Sequence, residues 1–332
     1  MVIKIEKKRI SLKNPTYIIA EAGVNHNGSP EMAKKLVDAA REAGADAVKF
    51  QLFKTEDLIA PGNHSAQREI LSALELTAGD LKCLKEYCSD AITFLCSPFD
   101  YQSACLLDQI GVPAFKVGSG EISNLPLLEI IASFRKPVIL STGMSGLKEI
   151  EEALEVLSGV PVALLHCTTD YPARYKDLHL NVIHTLKPAF GRIVGYSDHS
   201  PGLEAPIAAA ALGYKIIEKH LTLDRKLPGP DHRASLEPWE FKKMVEGIRR
   251  VEKMLGKTLK KATAREEEMK RKVRKSLYLA QNLPAGHSIT PEDLVSLRPL
   301  AGIEPDRWGE VLGRKLKGSK PKGQPLYWHD LE

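Results

Sequence analysis

A lysine inside an apolar, β-branched run is a chemical signal, because an ammonium taken out of water needs an anionic partner. This sequence has two, Lys49 in Ala-Val-Lys-Phe-Gln and Lys116 in Ala-Phe-Lys-Val-Gly. Hydroxyls close comparable runs: Ser97, Ser119, Ser141, Ser197 and, after His-Cys-Thr, Thr169. Cations and hydroxyls together supply the donors that a small polyanion requires, so a site for phosphate and carboxylate is one reading. Internal ion pairs of the lysines with Glu21 or Glu121 are the other. His199 and His220 end neighbouring runs and can reach one divalent ion. No cysteine ends those two runs, so a labile Mn²⁺, Co²⁺ or Mg²⁺ suits the pair better than structural zinc. No Walker-type loop is present, which argues against a nucleoside triphosphate.

These residues need elements to bring them together. Strand-like runs fall at 17–21, 46–51, 92–97, 114–119, 137–142, 162–167, 192–197 and 214–221, with helical patterns between most of them. Ser29 and Pro30 read as a helix start, and Ala33, Leu36, Val37 and Ala40 as its apolar face. The gap from 54 to 90 is longer and holds a loop and one or two helices. Eight βα units in about 250 residues predict a closed (β/α)8 barrel of the TIM type, whose chemistry sits at the C-terminal ends of the strands. Every predicted strand ends in, or carries, a polar group: Glu21, Lys49 and Gln51, Ser97, Lys116 and Ser119, Ser141, His166 and Thr169, Ser197 and His199, Glu218 and His220. A doubly wound open sheet is the alternative, but Glu-Ala-Gly-Val-Asn-His-Asn-Gly is not its Gly-rich phosphate turn. His26 follows the first strand and could touch the site; His166 is either core or lining.

Composition sets the wider frame. Of the residues 43% are hydrophobic and 27% charged, ordinary for a globular chain and excluding a disordered or collagen-like one. The net charge of +5 is concentrated: residues 249–275 carry twelve Lys/Arg against four Glu, which reads as a solvated helix end and linker, not a nucleic-acid face. The longest near-apolar stretch, 205–214, is short of the ~18 residues of a membrane span. The first residues lack an apolar secretory core, and five cysteines without a CxxC pair suit free thiols, so a cytoplasmic setting is expected. We expect a barrel domain over 1–258, a charged linker over 259–274 and a small β-rich domain over 275–332, with a helix starting at Thr290-Pro-Glu-Asp293.

The ordered motifs Ile-Ile-Ala-Glu21-Ala-Gly-Val-Asn-His-Asn-Gly, Val-Lys49-Phe-Gln51, Phe-Lys116-Val-Gly-Ser119-Gly-Glu121, Leu-Ser141-Thr-Gly-Met, His-Cys-Thr-Thr169-Asp-Tyr171-Pro, Gly-Tyr-Ser197-Asp-His199-Ser, Ile-Glu-Lys-His220 and Gly-Pro-Asp231-His-Arg-Ala-Ser-Leu-Glu-Pro resemble those of sialic acid synthases. Those enzymes condense phosphoenolpyruvate with an N-acetylated mannosamine-type sugar. The likeness covers essentially the whole chain, and its last part resembles the antifreeze-like SAF domain. It implies a domain-swapped homodimer in which Arg298 of one copy caps the partner's site. It also implies metal ligation by His199 and His220, and phosphoenolpyruvate contacts at Lys49, Ser97, Lys116, Ser119, Ser141 and Ser197. Sugar contacts fall on Gln51, Tyr171, Asp231 and Arg298, the acidic group near the reacting carbons on Glu21, and a closing loop asparagine on Asn63. The best-known members carry asparagine where this chain has Thr169.

The implied reaction joins the enol carbon to the open-chain aldehyde of the sugar, adds water and expels phosphate, with Glu21 or Asp231 handling the proton. A 6-deoxy-di-N-acetyl acceptor, legionaminic or pseudaminic in type, is the nearest alternative. The Gly-Pro-Asp-His-Arg motif looks closer to the neuraminate and legionaminate branch than to the pseudaminate one. A sugar-phosphate synthase lacks a second basic cluster here. A non-catalytic carbohydrate-binding or interaction protein is the alternative from another class; the flat, repetitive Thr-rich surface expected of an ice binder is missing, while the barrel keeps its lysines and histidines.

Overall fold

The computed structural model describes every residue except 63, 64 and 90. It divides into two compact units, Met1–Gly256 and Lys257–Glu332. In the first, two short antiparallel strands, β1 (Ile3–Ile5) and β2 (Lys8–Ile10), precede eight parallel strands: β3 (Tyr17–Gly23), β4 (Ala47–Leu52), β5 (Thr93–Pro98), β6 (Phe115–Val117), β7 (Val138–Ser141), β8 (Val162–Cys167), β9 (Ile193–Asp198) and β10 (Ile216–His220). These eight close in sequence order, with β10 pairing back to β3. The expected barrel is present.

Alternation along the strands sorts the side chains into two cores. Outward residues such as Ile18, Val48, Phe94, Leu140 and Leu164 pack under the helices. Inward residues near the strand starts, among them Tyr17, Ile19, Ala47, Leu95, Ile139 and Ile193, fill the barrel's lower interior. The β1–β2 hairpin adds Ile3, Ile5 and Ile10 to that inner cluster and so plugs the N-terminal end. Its strands have three residues each, too few for a periodic signal.

The helices obey local rules. Over Pro30–Glu42, the Ser29 side chain accepts from the Met32 N–H, and Ala33, Leu36, Val37 and Ala40 are the buried residues. The long gap after β4 holds three helices, Thr55–Leu58, Ser65–Ser72 and Ala78–Cys88. Among the described residues no helix is long and apolar enough to cross a membrane.

In the second unit, the charged segment carries a helix, Ala264–Val273. Thr263 and Glu266 form a capping box at its start, and Lys270, Arg271 and Lys272 sit in its last turn, each complementing the helix dipole. Beyond it, β11 (Ser276–Leu279) pairs antiparallel with β12 (Leu294–Leu297) over a core that includes Leu277, Leu279, Ile303, Leu316 and Leu326. The helix expected at residue 290 is only a 3-10 turn, Pro291–Asp293. Asp293 accepts bonds from Thr290, Gln281 and His287, and the chain then goes straight into β12.

Candidate active site

The inward positions at the C-terminal ends of the strands are polar where the lower ones are apolar. They line a cavity of about 150 Å³. Glu21, Lys49, Gln51 and Ser97 come from β3 to β5, and Lys116 and Ser119 from β6 and the turn after it. Ser141, Thr169, Tyr171, Ser197, His199 and His220 complete the circuit. Twelve of the residues expected from the sequence thus meet in one pocket, joined by Glu218, Cys167 and Phe99.

Four buried charges form its base. Lys49 Nζ lies 3.1 Å from Glu21 Oε2 and 3.4 Å from Glu218 Oε2, and Lys116 Nζ lies 3.2 Å from Glu218 Oε1. Ser97 Oγ accepts from Lys49 at 3.3 Å, Ser197 Oγ donates to Glu218 at 2.9 Å, and Gln51 donates to Glu21 at 2.9 Å. Internal pairing thus holds both lysines, with the hydroxyls beside them in the same pocket. The partner of Lys116 is Glu218 and not Glu121, which instead accepts from Asn124. Glu218, already named at the end of its strand, had no role assigned to it on sequence alone. The signal was available, because it stands two residues before His220 on the same face of one strand.

Burial governs the electrostatics. It pushes the Glu21 carboxyl up to about 7, Lys49 opposing and Glu218 reinforcing the shift. Burial also disfavours the Lys49 charge, but Glu21 and Glu218 together override it and hold the ammonium above the ordinary range. Lys116 is pulled down, by burial and by Lys49, against Glu218. Glu218 resists its own burial because Lys116 and Lys49 hold its carboxylate ionised, down to about 2. With Glu21 near half-protonation at neutral pH, the quartet leans positive. Ser141 Oγ is buried and has no hydrogen-bond partner within the protein, a polar atom facing the cavity that a ligand can satisfy.

The hydroxyl side of the pocket is tightly built. Ser119 Oγ accepts from the Gly143 N–H at 3.0 Å and lies 3.0 Å from Cys167 Sγ. A Cβ on Gly143 would stand 2.8 Å from Cys167 Sγ and 2.9 Å from Ser119 Oγ, and would also overlap Thr169 Oγ1. Gly143→Ala is therefore expected to destabilise the fold by about 1–3 kcal/mol through overpacking. Urea unfolding of the variant, read against wild type, checks this.

The imidazoles face each other across neighbouring strand ends. Their ring centroids are 5.5 Å apart, and Tyr171 lies 4.1 Å from the His199 ring and edge-on to His220. His199 Nδ1 is 2.8 Å from the Thr168 carbonyl, a bond in which it must donate, so Nε2 carries the lone pair. His220 Nδ1 is buried without a hydrogen-bond partner, 3.7 Å from Asp231 Oδ2. Burial keeps both rings neutral, lowering His199 and taking His220 to about 4. Two neutral imidazoles with a free nitrogen each fit a divalent cation completed by water and ligand oxygens. Among the described residues no group of three or more His, Cys, Asp and Glu forms a closed metal cage, so such an ion would keep open positions.

The remaining candidates fall elsewhere. Asp231 is beside His220 but outside the cavity lining. His26 is fully buried and His166 bonds the Leu178 carbonyl at 2.7 Å from the outer side of β8; neither lines the pocket. Arg298 belongs to the second unit, exposed just after β12. Asn63 lies outside the described residues.

A closed parallel barrel with a charged, hydroxyl-rich rim and two neutral imidazoles defines a class, barrel enzymes that act on small anions. Residues 36–260 match the NeuB family and residues 274–332 the SAF domain. The chain belongs to the NeuB family, as its motifs implied. The N,N'-diacetyllegionaminic acid synthase of Campylobacter jejuni is 46% identical over 320 residues, 90% of this chain and 95% of the relative. The enzyme of that name from Legionella pneumophila is 42% identical, covering 95% and 94%. The solved N-acetylneuraminic acid (sialic acid) synthetase of Leptospira borgpetersenii superposes with a TM-score of 0.77 at 38% identity, covering 81% of this chain and 95% of that one.

Proposed function

We propose that this chain condenses phosphoenolpyruvate with an N-acetylated mannosamine-type sugar and water, giving a sialic acid-like nonulosonate and phosphate. The observation that carries this reading is the buried quartet Lys49, Lys116, Glu21 and Glu218 beside the paired imidazoles on one rim. Lys49 and Lys116 hold the carboxylate and phosphate of the enol substrate and stabilise the negative charge on phosphate as it is expelled after water has added. Ser97, Ser119, Ser141, Thr169 and Ser197 orient the phosphate and carboxylate oxygens. Gln51, Tyr171 and Asp231 face the sugar. A divalent cation, Mn²⁺ first, held by His199 and His220 would polarise the aldehyde oxygen as a Lewis acid.

After bond formation the former enol carbon is electron-poor and water adds there. Glu21 is the group suited to accept that proton, since burial brings its carboxyl to about 7 and Gln51 fixes one of its oxygens. Only the ionised carboxylate can accept a proton, so kcat/KM is expected to rise with pH through about 7. Glu21→Gln should abolish that limb of the pH profile. A limb that persists in the variant assigns the proton to another group, Asp231 first.

In this reading the chain works as a homodimer, with Arg298 of a second copy completing the sugar subsite. The five free cysteines support a reducing, cytoplasmic setting. The 46% and 42% identities to legionaminic acid synthases favour a second acceptor, a 6-deoxy-di-N-acetyl hexose. The test is phosphate release from phosphoenolpyruvate with a panel of acceptors: N-acetylmannosamine, its 6-phosphate, and the 2,4-diacetamido-6-deoxy sugar. Release is expected with an unphosphorylated acceptor and none after chelation. Chelator-insensitive release, or none with any acceptor, overturns the reading.

A further inference from the structure

Strand alternation that turns Glu218 and His220 into the pocket turns Lys219 away from it. On the neighbouring strand it does the same for Asp198, between Ser197 and His199. Asp198 and Lys219 are register partners. Their side chains meet at 2.6 Å, both completely buried, in the layer between barrel and helices. At the ends of other strands the outward positions are uncharged, as at Ala22, Leu52, Cys96, Val117 and Leu140. Asp198 Oδ1 also accepts from Tyr196 Oη at 3.0 Å, the Ser200 N–H at 3.0 Å and Ser200 Oγ at 2.7 Å. Lys219 Nζ further donates to the Ser200 carbonyl. One network thus grips the residues on both sides of His199 and the residue before His220.

A buried ion pair adds little stability over well-packed apolar side chains, because desolvation cancels most of its attraction. What it adds is a fixed register. We propose that Asp198 and Lys219 are a positioning pair that sets the separation and orientation of the two imidazoles. The inference rests on the reading that these rings hold a divalent cation.

The experiment is Mn²⁺ titration of the full chain without substrates, free ion read by electron paramagnetic resonance, with kcat and KM measured in parallel. The double variant Asp198→Leu/Lys219→Met removes both charges and leaves neither buried alone. It is expected to melt below wild type, because the Tyr196 hydroxyl and the Ser200 N–H lose their acceptor, and, where folded, to bind Mn²⁺ about 10- to 100-fold more weakly, as loss of a ligand's supporting contacts does elsewhere. Its kcat should fall while the KM for phosphoenolpyruvate holds. Tyr196→Phe/Ser200→Ala, which trims the network but keeps the pair, covers the case of a misfolded double variant. It should weaken Mn²⁺ by a smaller factor, several-fold. Wild-type Mn²⁺ affinity in either folded variant overturns the positioning role alone. No Mn²⁺ binding by the wild-type chain overturns the cation reading first and this inference with it.

Discussion

Lys116→Met is expected to lower kcat/KM for phosphoenolpyruvate by about 10³-fold, the scale for losing one preorganised charge at a reacting centre, while the melting temperature barely moves. The asymmetry follows from the shifted titration of the lysine. Its pKa in the folded chain is lowered, mainly by burial, despite the Glu218 carboxylate 3.2 Å away. A lysine whose folded pKa is depressed makes the folded state less favourable when charged, so the ammonium contributes no net stability near neutral pH. Methionine fills a similar volume without the charge, and Glu218 keeps Lys49 and the Ser197 hydroxyl. Lys49 is the contrasting case. It lies between two carboxylates that hold it charged above the ordinary range, so Lys49→Met should damage both folding and turnover. Steady-state phosphate release with varied phosphoenolpyruvate, alongside a thermal scan, separates the two outcomes. Lys116→Met with wild-type kcat/KM would remove that lysine from the site.

What was legible in the sequence was whatever repeats with a short period. The eight barrel strands announce themselves through β-branched runs, and the polar groups at their ends follow from alternation, so Glu21, Lys49, Ser97 and Ser141 could be placed on one rim before any coordinates. Pairing across the rim was not legible, because it depends on which strands become neighbours and how far each chain reaches. Lys116 could reach Glu121 in sequence terms, yet the turn after β6 directs Glu121 to Asn124 while strand β10 brings Glu218 underneath. The plugging hairpin was invisible for a different reason: Ile3, Ile5 and Ile10 become a core only once a barrel end exists to receive them. The helix at Ala264–Val273 was masked by its charge, since a polar helix carries no apolar stripe and its capping box is its clearest sign.

Glu218→Gln should produce the opposite pattern to Lys116→Met, a fold weakened by about 3 kcal/mol, the lower end for breaking a buried charge pair, and a stability that anions restore. The glutamate is 3% exposed and its carboxyl is lowered from 4.5 to about 2 by Lys116 and Lys49. A depressed acid stabilises the fold when ionised. That contribution is present above its ordinary pKa and is lost as pH falls toward about 2. Glutamine keeps the shape and can still accept from Ser197, but it leaves two buried ammoniums facing Glu21 alone. Lys116, already held below the ordinary range, must then fall further below the unfolded value of about 10.4. In that window the unfolded chain binds more protons, so the variant's stability should climb as pH rises from 7 toward 10. A phosphate or phosphoenolpyruvate anion supplies the missing charge and binds only the folded state, so it should raise the melting temperature of the variant more than that of wild type. Thermal scans with and without inorganic phosphate, across pH 7 to about 10, read both effects. A variant that melts like wild type and ignores phosphate would mean that Glu218 is not the counter-charge of these lysines.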